Sequence, residues 1–168
     1  MVFDYYRRLS RTQQKIYRQS DGIMSIRLPD PKSLQKVVAA IDQELRRDER
    51  GALQSACQAL ISSMNSQLQS PPARVTVLDA RPSEDWGELH GLYEPAEENP
   101  LAHITVWMRT AQRRKVVAFR TFLRTLLHEY CHHLDYEHFE LEDSFHTEGF
   151  YKRESSLFHQ LVPIQLPE

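Results

Sequence analysis

The stretch LLHEYCHHLDYEH, residues 126–138, decides how this chain is interpreted. It holds four histidines, three acidic residues and one cysteine in thirteen positions. The stretch continues an apolar pattern that starts near Phe119 and recurs every three or four residues, which predicts one long amphipathic helix over about 116–136. His128 and His132 are four residues apart, so they lie on one face of that helix, one turn from each other. Two imidazoles placed in this way can bind the same metal ion.

The same residues match the zinc motif H-E-x-x-H, in which a glutamate follows the first histidine. Catalytic zinc takes three protein ligands and a water molecule, and it lowers the pKa of that water to about 7. A neighbouring carboxylate can then take the proton and later pass it to a leaving amine. We therefore predict one zinc ion per chain, with His128 and His132 as ligands and Glu129 as the catalytic general base.

Residue spacing alone does not identify the third ligand. His138 follows His132 by six residues, which is the metzincin spacing. The glycine position of that motif is occupied by Asp135, however, and no methionine follows Met108 to form a methionine turn. The side chains downstream of His132 that could complete the site are His138, Glu142, His146 and Glu148.

Apolar periodicity and breaks in the rest of the chain predict an α+β domain in which helices come first, strands follow and helices end the chain. The predicted helices cover about 4–19, 31–48, 52–69 and 147–161, and the predicted strands cover about 73–80, 86–95 and 101–110. We expect one domain over 1–168, with a helical part at 1–70 and a zincin-like core at 71–168. The core should contain a small, mostly antiparallel sheet packed on the active-site helix, with residues 104–108 at the sheet edge beside that helix.

The sequence LLHEYCHHL, with HTEGF beginning fourteen residues after His132, resembles the SprT-like metallopeptidases, a minimal zincin family that includes Spartan. The resemblance covers about residues 102–161. It implies a zincin fold and peptide hydrolysis, and it implies that His146, in an H-x-x-x-F context completed by Phe150, is the third zinc ligand. It also raises nucleic acid as a possible partner, which the formal net charge of −2 does not support.

We select His146 as the third ligand. The segment between His132 and His146 is long enough to leave the helix and return a side chain to the open side of the metal. Asp143 or Ser144 is expected to cap the last helix, which would place His146 in its first turn.

Four other residues near the motif have expected roles. His133 is rotated by about 100° from His132 on a helix and is expected to face solvent. Asp135 is a candidate hydrogen-bond acceptor for a ligand imidazole. Tyr151 and Arg153 are candidates to stabilise an oxyanion, although a solvent-facing helix would explain them equally well.

The motif makes a zinc-dependent peptidase acting on a peptide or protein the leading functional hypothesis. Two cysteines cannot form a disulfide framework, and the chain has no apolar run of signal-peptide or membrane-spanning length. These features predict a cytoplasmic protein without a membrane partner. The alternative is a non-catalytic zincin scaffold that binds a peptide or partner protein. The presence of Glu129 favours the enzyme, because a structural zinc site needs no base.

Overall fold

The computed structural model describes residues 2–84, 87–97 and 99–163, and it confirms the α+β class. A 3₁₀ helix, Asp4–Arg8, comes first. The helices are α1 (Arg11–Asp21), α2 (Pro31–Arg47), α3 (Arg50–Leu68), α4 (Phe119–Glu137) and α5 (Glu148–Leu161). The strands are β1 (Ala73–Ala80), β2 (Ser83–Glu84), β3 (Gly87–Glu88), β4 (Gly91–Glu94) and β5 (Ala102–Arg109). Trp86, at the start of the strand predicted over 86–95, lies outside the described residues. None of the described helices combines the length and the apolarity needed to cross a membrane.

The main sheet is mixed and has the strand order β1-β5-β4. Strands β1 and β5 are parallel, whereas β4 and β5 are antiparallel, with Gly91 opposite Val106. Strands β2 and β3 form a separate antiparallel pair. Two of the three pairings within the described residues are therefore antiparallel, and the longest one is parallel.

Strand β5 is the central strand, so the expectation that residues 104–108 form the sheet edge is wrong. All five of these residues are buried, as is typical of a strand that is covered on both faces. The short strand β4 is the edge strand, and it packs beside α4. The residues that face an incoming ligand at this edge are consequently those of β4.

The other edge of the sheet is covered by two glutamines of α3. Gln58 accepts a hydrogen bond from the backbone N–H of Val75 (2.8 Å) and donates one to the carbonyl of Ala73 (3.0 Å). Gln54, one helical turn earlier, accepts from the N–H of Val77 (3.0 Å). These two amides take the place of a neighbouring strand along β1.

Helix α4 is the centre of the molecule. It packs on β4, β5 and α5, and its buried apolar face matches the periodicity that predicted it. The buried apolar side chains of this face are Phe122, Leu123, Leu126, Leu127, Tyr130, Cys131 and Leu134. Helix α5 meets α4 beside the histidines, where Phe150 and Glu154 of α5 contact His128.

The end of α1 lies directly against the beginning of α5, and Gly149 makes this approach possible. A Cβ atom at Gly149 would lie 2.5 Å from the carbonyl oxygen of Asp21 and 2.7 Å from that of Ser20. Both contacts are with backbone, which cannot move aside as a flexible side chain would. A side chain at this position would therefore force the two helices apart.

Gly149→Ala should lower the free energy of unfolding by about 1–3 kcal/mol, because the added methyl group overpacks a backbone contact. Gly51→Ala is the matched control: Gly51 is also the second residue of its helix, α3, but a Cβ atom there has nothing within 4 Å. The control should be neutral or stabilising, since alanine is favoured over glycine in helices. Urea unfolding of both variants measures the difference, and equal stabilities would contradict the prediction.

Candidate metal centre

Three histidine side chains converge on one point between α4 and the segment before α5. The Nε2 atom of His146 lies 3.1 Å from Nε2 of His128 and 2.9 Å from Nε2 of His132. One ligand atom from each residue lies within 4.8 Å of the other two. Tetrahedral zinc with bonds of 2.0–2.1 Å places its nitrogen ligands about 3.3 Å apart. The three histidines therefore lie close enough to bind one metal ion.

Hydrogen bonds at the opposite ring nitrogens orient two of these imidazoles. Nδ1 of His128 lies 2.8 Å from a carboxylate oxygen of Glu154, which can only accept, so this nitrogen carries the proton. Nδ1 of His132 lies 2.7 Å from Oγ of Ser144. That hydroxyl donates to Asp135 (2.7 Å), so it accepts from His132. In both neutral rings the unprotonated Nε2 atom then faces the shared point.

The electrostatic environment favours neutral imidazoles at this point. Burial, followed by the nearby His128 and His146, lowers the pKa of His132 to about 3. Burial and the nearby His128 also lower the pKa of His146, although Glu154 opposes this. A neutral imidazole is the form that binds metal. Unprotonated Nε2 atoms of His128 and His132 that face one point are what a bound cation would stabilise.

An aromatic side chain lies against the three histidines. The ring centroid of Phe150 is 5.0 Å from that of His128, 4.7 Å from that of His132 and 5.2 Å from that of His146. Phe150 is fully buried in the first turn of α5. Its ring therefore packs against all three imidazoles of the cluster.

The carboxylate of Glu129 lies next to the backbone of β4. A Cβ atom at Gly91 would be 2.9 Å from both Cγ and Oε1 of Glu129, so only glycine leaves the carboxylate in place. Glu129 is 8% exposed, and burial raises its pKa to about 7, while His128 opposes the shift and Glu154 adds to it. An isolated glycine in a strand indicates a close backbone approach, and this signal in the sequence could have linked Gly91 to the site.

An open cavity of about 360 Å³ leads to this carboxylate. Its walls come from the β3–β4 connection, β4, α4 and α5. The lining residues are His90, Gly91, Thr121, Arg124, Thr125, His128, Glu129 and Glu154. His90, an exposed histidine outside the motif, is therefore one of the residues that line this cavity.

The other candidates for the third ligand lie elsewhere. His138 is the C-cap residue of α4, and its Nδ1 atom lies 2.9 Å from the hydroxyl of Ser70. Glu148 forms an ion pair with Lys152 (3.2 Å). Neither of these residues, nor Glu142, belongs to the metal-ligand cluster found among the described residues.

Helix α5 begins differently from the prediction. Its N-cap is Thr147, whose hydroxyl accepts from the N–H of Phe150 (2.9 Å). Asp143 and Ser144 do not cap it: Asp143 accepts from the N–H of Ser144 (2.8 Å), and the Ser144 hydroxyl bonds to His132 and Asp135. His146 thus lies just before the helix and not in its first turn.

Two further expectations are wrong because His133 on α4 and Arg153 on α5 are both buried against polar partners from other segments. His133 is fully buried and bonds to the carbonyl of Pro71 (2.7 Å) and the hydroxyl of Tyr93 (3.1 Å). Arg153 is also fully buried and pairs with Asp135 (2.9 Å), so it cannot stabilise an oxyanion. Tyr151 remains 42% exposed beside the rings of the metal-binding cluster.

Asp135 does not bond directly to an imidazole of the candidate site but is linked to one through the hydroxyl of Ser144. One carboxylate oxygen accepts from Ser144, which in turn accepts from His132, and the other accepts from Arg153. Burial raises the pKa of Asp135, and the charge of Arg153 opposes the shift. The expected hydrogen bond to an imidazole is therefore replaced by a relay through a hydroxyl.

Glu154 is the side chain that sequence reasoning missed, since no motif marks it. Glu154→Ala should weaken zinc affinity by about 10- to 100-fold, because His128 loses the acceptor that fixes its ring and tautomer. Ser155→Ala, at the next position of α5, is the control and should bind zinc as the unaltered chain does. Competition with a chromophoric chelator measures both affinities. Tight binding by Glu154→Ala would show that His128 needs no such partner.

No family model matches the chain, and no similar curated protein or solved structure was found. The resemblance to SprT-like metallopeptidases therefore stays a prediction from the motifs. Any functional assignment depends on the geometry of the three histidines and Glu129.

Proposed function

We propose that the chain is a zinc-dependent peptidase with a zincin-like catalytic core, similar to the SprT-like metallopeptidases. One observation carries the proposal: hydrogen bonds to Nδ1 of His128 and His132 direct their Nε2 atoms to the point that His146 also faces. Glu129 belongs to the same helix and opens into the adjacent cavity. Three neutral nitrogen ligands with a nearby carboxylate are the donor set of a catalytic zinc site, and a structural site needs no such base.

Each residue then has a defined role in hydrolysis. Zinc bound by the three imidazoles would act as a Lewis acid toward a carbonyl and promote ionisation of a water molecule. Glu129 accepts the proton from the attacking water and passes it to the amine nitrogen as the C–N bond breaks. A carboxyl with a pKa raised to about 7 by burial suits a group that must accept and release a proton near neutral pH. A bound cation would lower that pKa, since positive charge favours the carboxylate.

The position of β4 supports a peptide as the substrate. Within the described part of the chain, β4 pairs on one side with β5 and has no strand on its other side. An extended peptide can add to such an edge through backbone hydrogen bonds. Gly91 brings this edge into contact with Glu129, so a peptide added here would pass beside the catalytic carboxylate.

Zinc stoichiometry and cleavage of an unfolded protein test the proposal together. The purified chain should hold about one zinc ion, and the double variant His128→Ala/His132→Ala should lose it, because one imidazole remains. Elemental analysis by mass spectrometry measures the metal. Casein digestion, with and without a chelator, measures hydrolysis. Full zinc retention by the double variant would refute the site, whereas zinc binding without cleavage of any unfolded substrate would favour the non-catalytic scaffold.

A further inference from the structure

The first helical part of the chain contacts the segment that carries His146. The hydroxyl of Tyr5 donates a hydrogen bond to the backbone carbonyl of His146 (2.8 Å). His146 is exposed and lies outside any helix, so no helical hydrogen bonds fix its backbone. Tyr5 is itself held by the ring of Tyr17, at a centroid distance of 5.6 Å, and Tyr17 is fully buried. A rigid aromatic side chain thus holds the backbone of the third ligand.

A second set of contacts fixes the residues that come after His146. The hydroxyls of Ser20 and Thr147 lie 3.1 Å apart in a buried hydrogen bond. A carboxylate oxygen of Asp21 accepts from the N–H of Gly149 (3.0 Å), an N–H that the first turn of a helix leaves without an intrahelical partner. The end of α1 therefore completes the cap of α5, and it does so three residues after the third ligand.

A third route leads from α1 to the second ligand. Arg153 donates to the carbonyls of Ser20 and Ile23, both at 2.6 Å, and to Asp135 at 2.9 Å. Asp135 in turn accepts from the hydroxyl of Ser144, which accepts from His132. The carbonyls of Ser20 and Ile23, at and just after the end of α1, are consequently joined to one imidazole of the metal centre by a chain of hydrogen bonds that are buried or partly buried.

We infer that Tyr5 is a positioning residue for His146 and that Asp21, at the end of α1, supports the same segment by capping α5. The inference rests on the proposed function, because it assumes that the three histidines bind zinc. The spacing of His128 and His132 on α4 fixes the positions of these two ligands relative to each other. His146, in contrast, lies in an irregular segment. Its position depends on α1 and on the 3₁₀ helix, which lie more than a hundred residues earlier in the sequence.

Zinc affinity of the full chain tests this role. Tyr5→Phe removes one hydroxyl and should weaken zinc affinity about three- to tenfold, the effect of one lost hydrogen bond on the ordering of His146. Asp21→Ala, which removes the acceptor of the Gly149 N–H, should weaken it in the same direction. Tyr6→Phe is the matched control: it lies in the same 3₁₀ helix and packs on Tyr17 (5.1 Å), but its hydroxyl bonds to Arg18. It should leave zinc affinity unchanged.

Urea unfolding of the metal-free variants separates positioning from general packing. A purely structural role would lower stability in Tyr5→Phe and leave the zinc dissociation constant unchanged, and that result would overturn the inference. Equal losses of affinity in Tyr5→Phe and Tyr6→Phe would also overturn it. If the unaltered chain binds no zinc, the proposed metal centre is refuted and the inference with it. If the unaltered chain binds zinc and both Tyr5→Phe and Asp21→Ala match it, only the inference fails.

Discussion

Glu129→Gln should retain zinc and lose peptide hydrolysis by at least roughly a hundredfold, the contribution of a positioned general base. Glutamine has nearly the shape of glutamate, so it fits the space beside Gly91, where an added Cβ atom would lie 2.9 Å from the Glu129 side chain. The amide cannot take a proton from water, however. Two quantities are measured for the variant: its zinc content and its rate of cleavage of an unfolded substrate.

Glu137→Gln is the control for this experiment. Glu137 is the last residue of the same helix, α4, two turns beyond Glu129 and outside the cavity. The control should keep both zinc and activity. If Glu129→Gln cleaves a substrate as fast as the unaltered chain does, Glu129 is not the base and the proposed mechanism is wrong.

Arg153→Met should lower the free energy of unfolding by about 3–5 kcal/mol, because it leaves the buried carboxylate of Asp135 without its partner cation. Both side chains of this pair are fully buried. The loss should also weaken zinc affinity, since Asp135 holds Ser144, and Ser144 holds His132. Urea unfolding and chelator competition on the same preparation measure the two effects.

Two comparisons make the Arg153 result specific. Arg46→Met removes an exposed ion pair with Asp42 and should change stability little, as surface pairs contribute little. Adding Asp135→Asn to Arg153→Met should recover part of the lost stability, because no unpaired charge remains. If Arg153→Met unfolds at the same urea concentration as Arg46→Met, the buried pair does not have the proposed importance.

The face of α4 was predictable from sequence because it depends on local geometry. Helical spacing alone places His128 and His132 one turn apart, and the apolar periodicity gives the buried side. His133 was mispredicted because its partners, Pro71 and Tyr93, come from distant segments. Polar side chains can be buried at any angle where such partners exist, and periodicity contains no information about them.

The rest of the candidate site depends on tertiary contacts that no motif records. The sheet edge was assigned to β5, yet its mostly apolar residues 104–108 are typical of a central strand. The edge strand β4 has four residues, Gly91–Glu94, and gives a weak signal. The contact of Tyr5 with His146 spans 141 residues, so it results from the fold and not from spacing.

The hydrogen bonds from the amides of Gln54 and Gln58 to β1 affect self-association of the protein at high concentration. A sheet edge with unpaired backbone groups is a template for self-association between copies of a chain. A sheet that leaves the β4 edge open carries this risk on both sides unless its second edge, β1, is covered. Because the two glutamines already bond to Ala73, Val75 and Val77 along β1, a strand from another copy would have to displace them before it could pair with this edge.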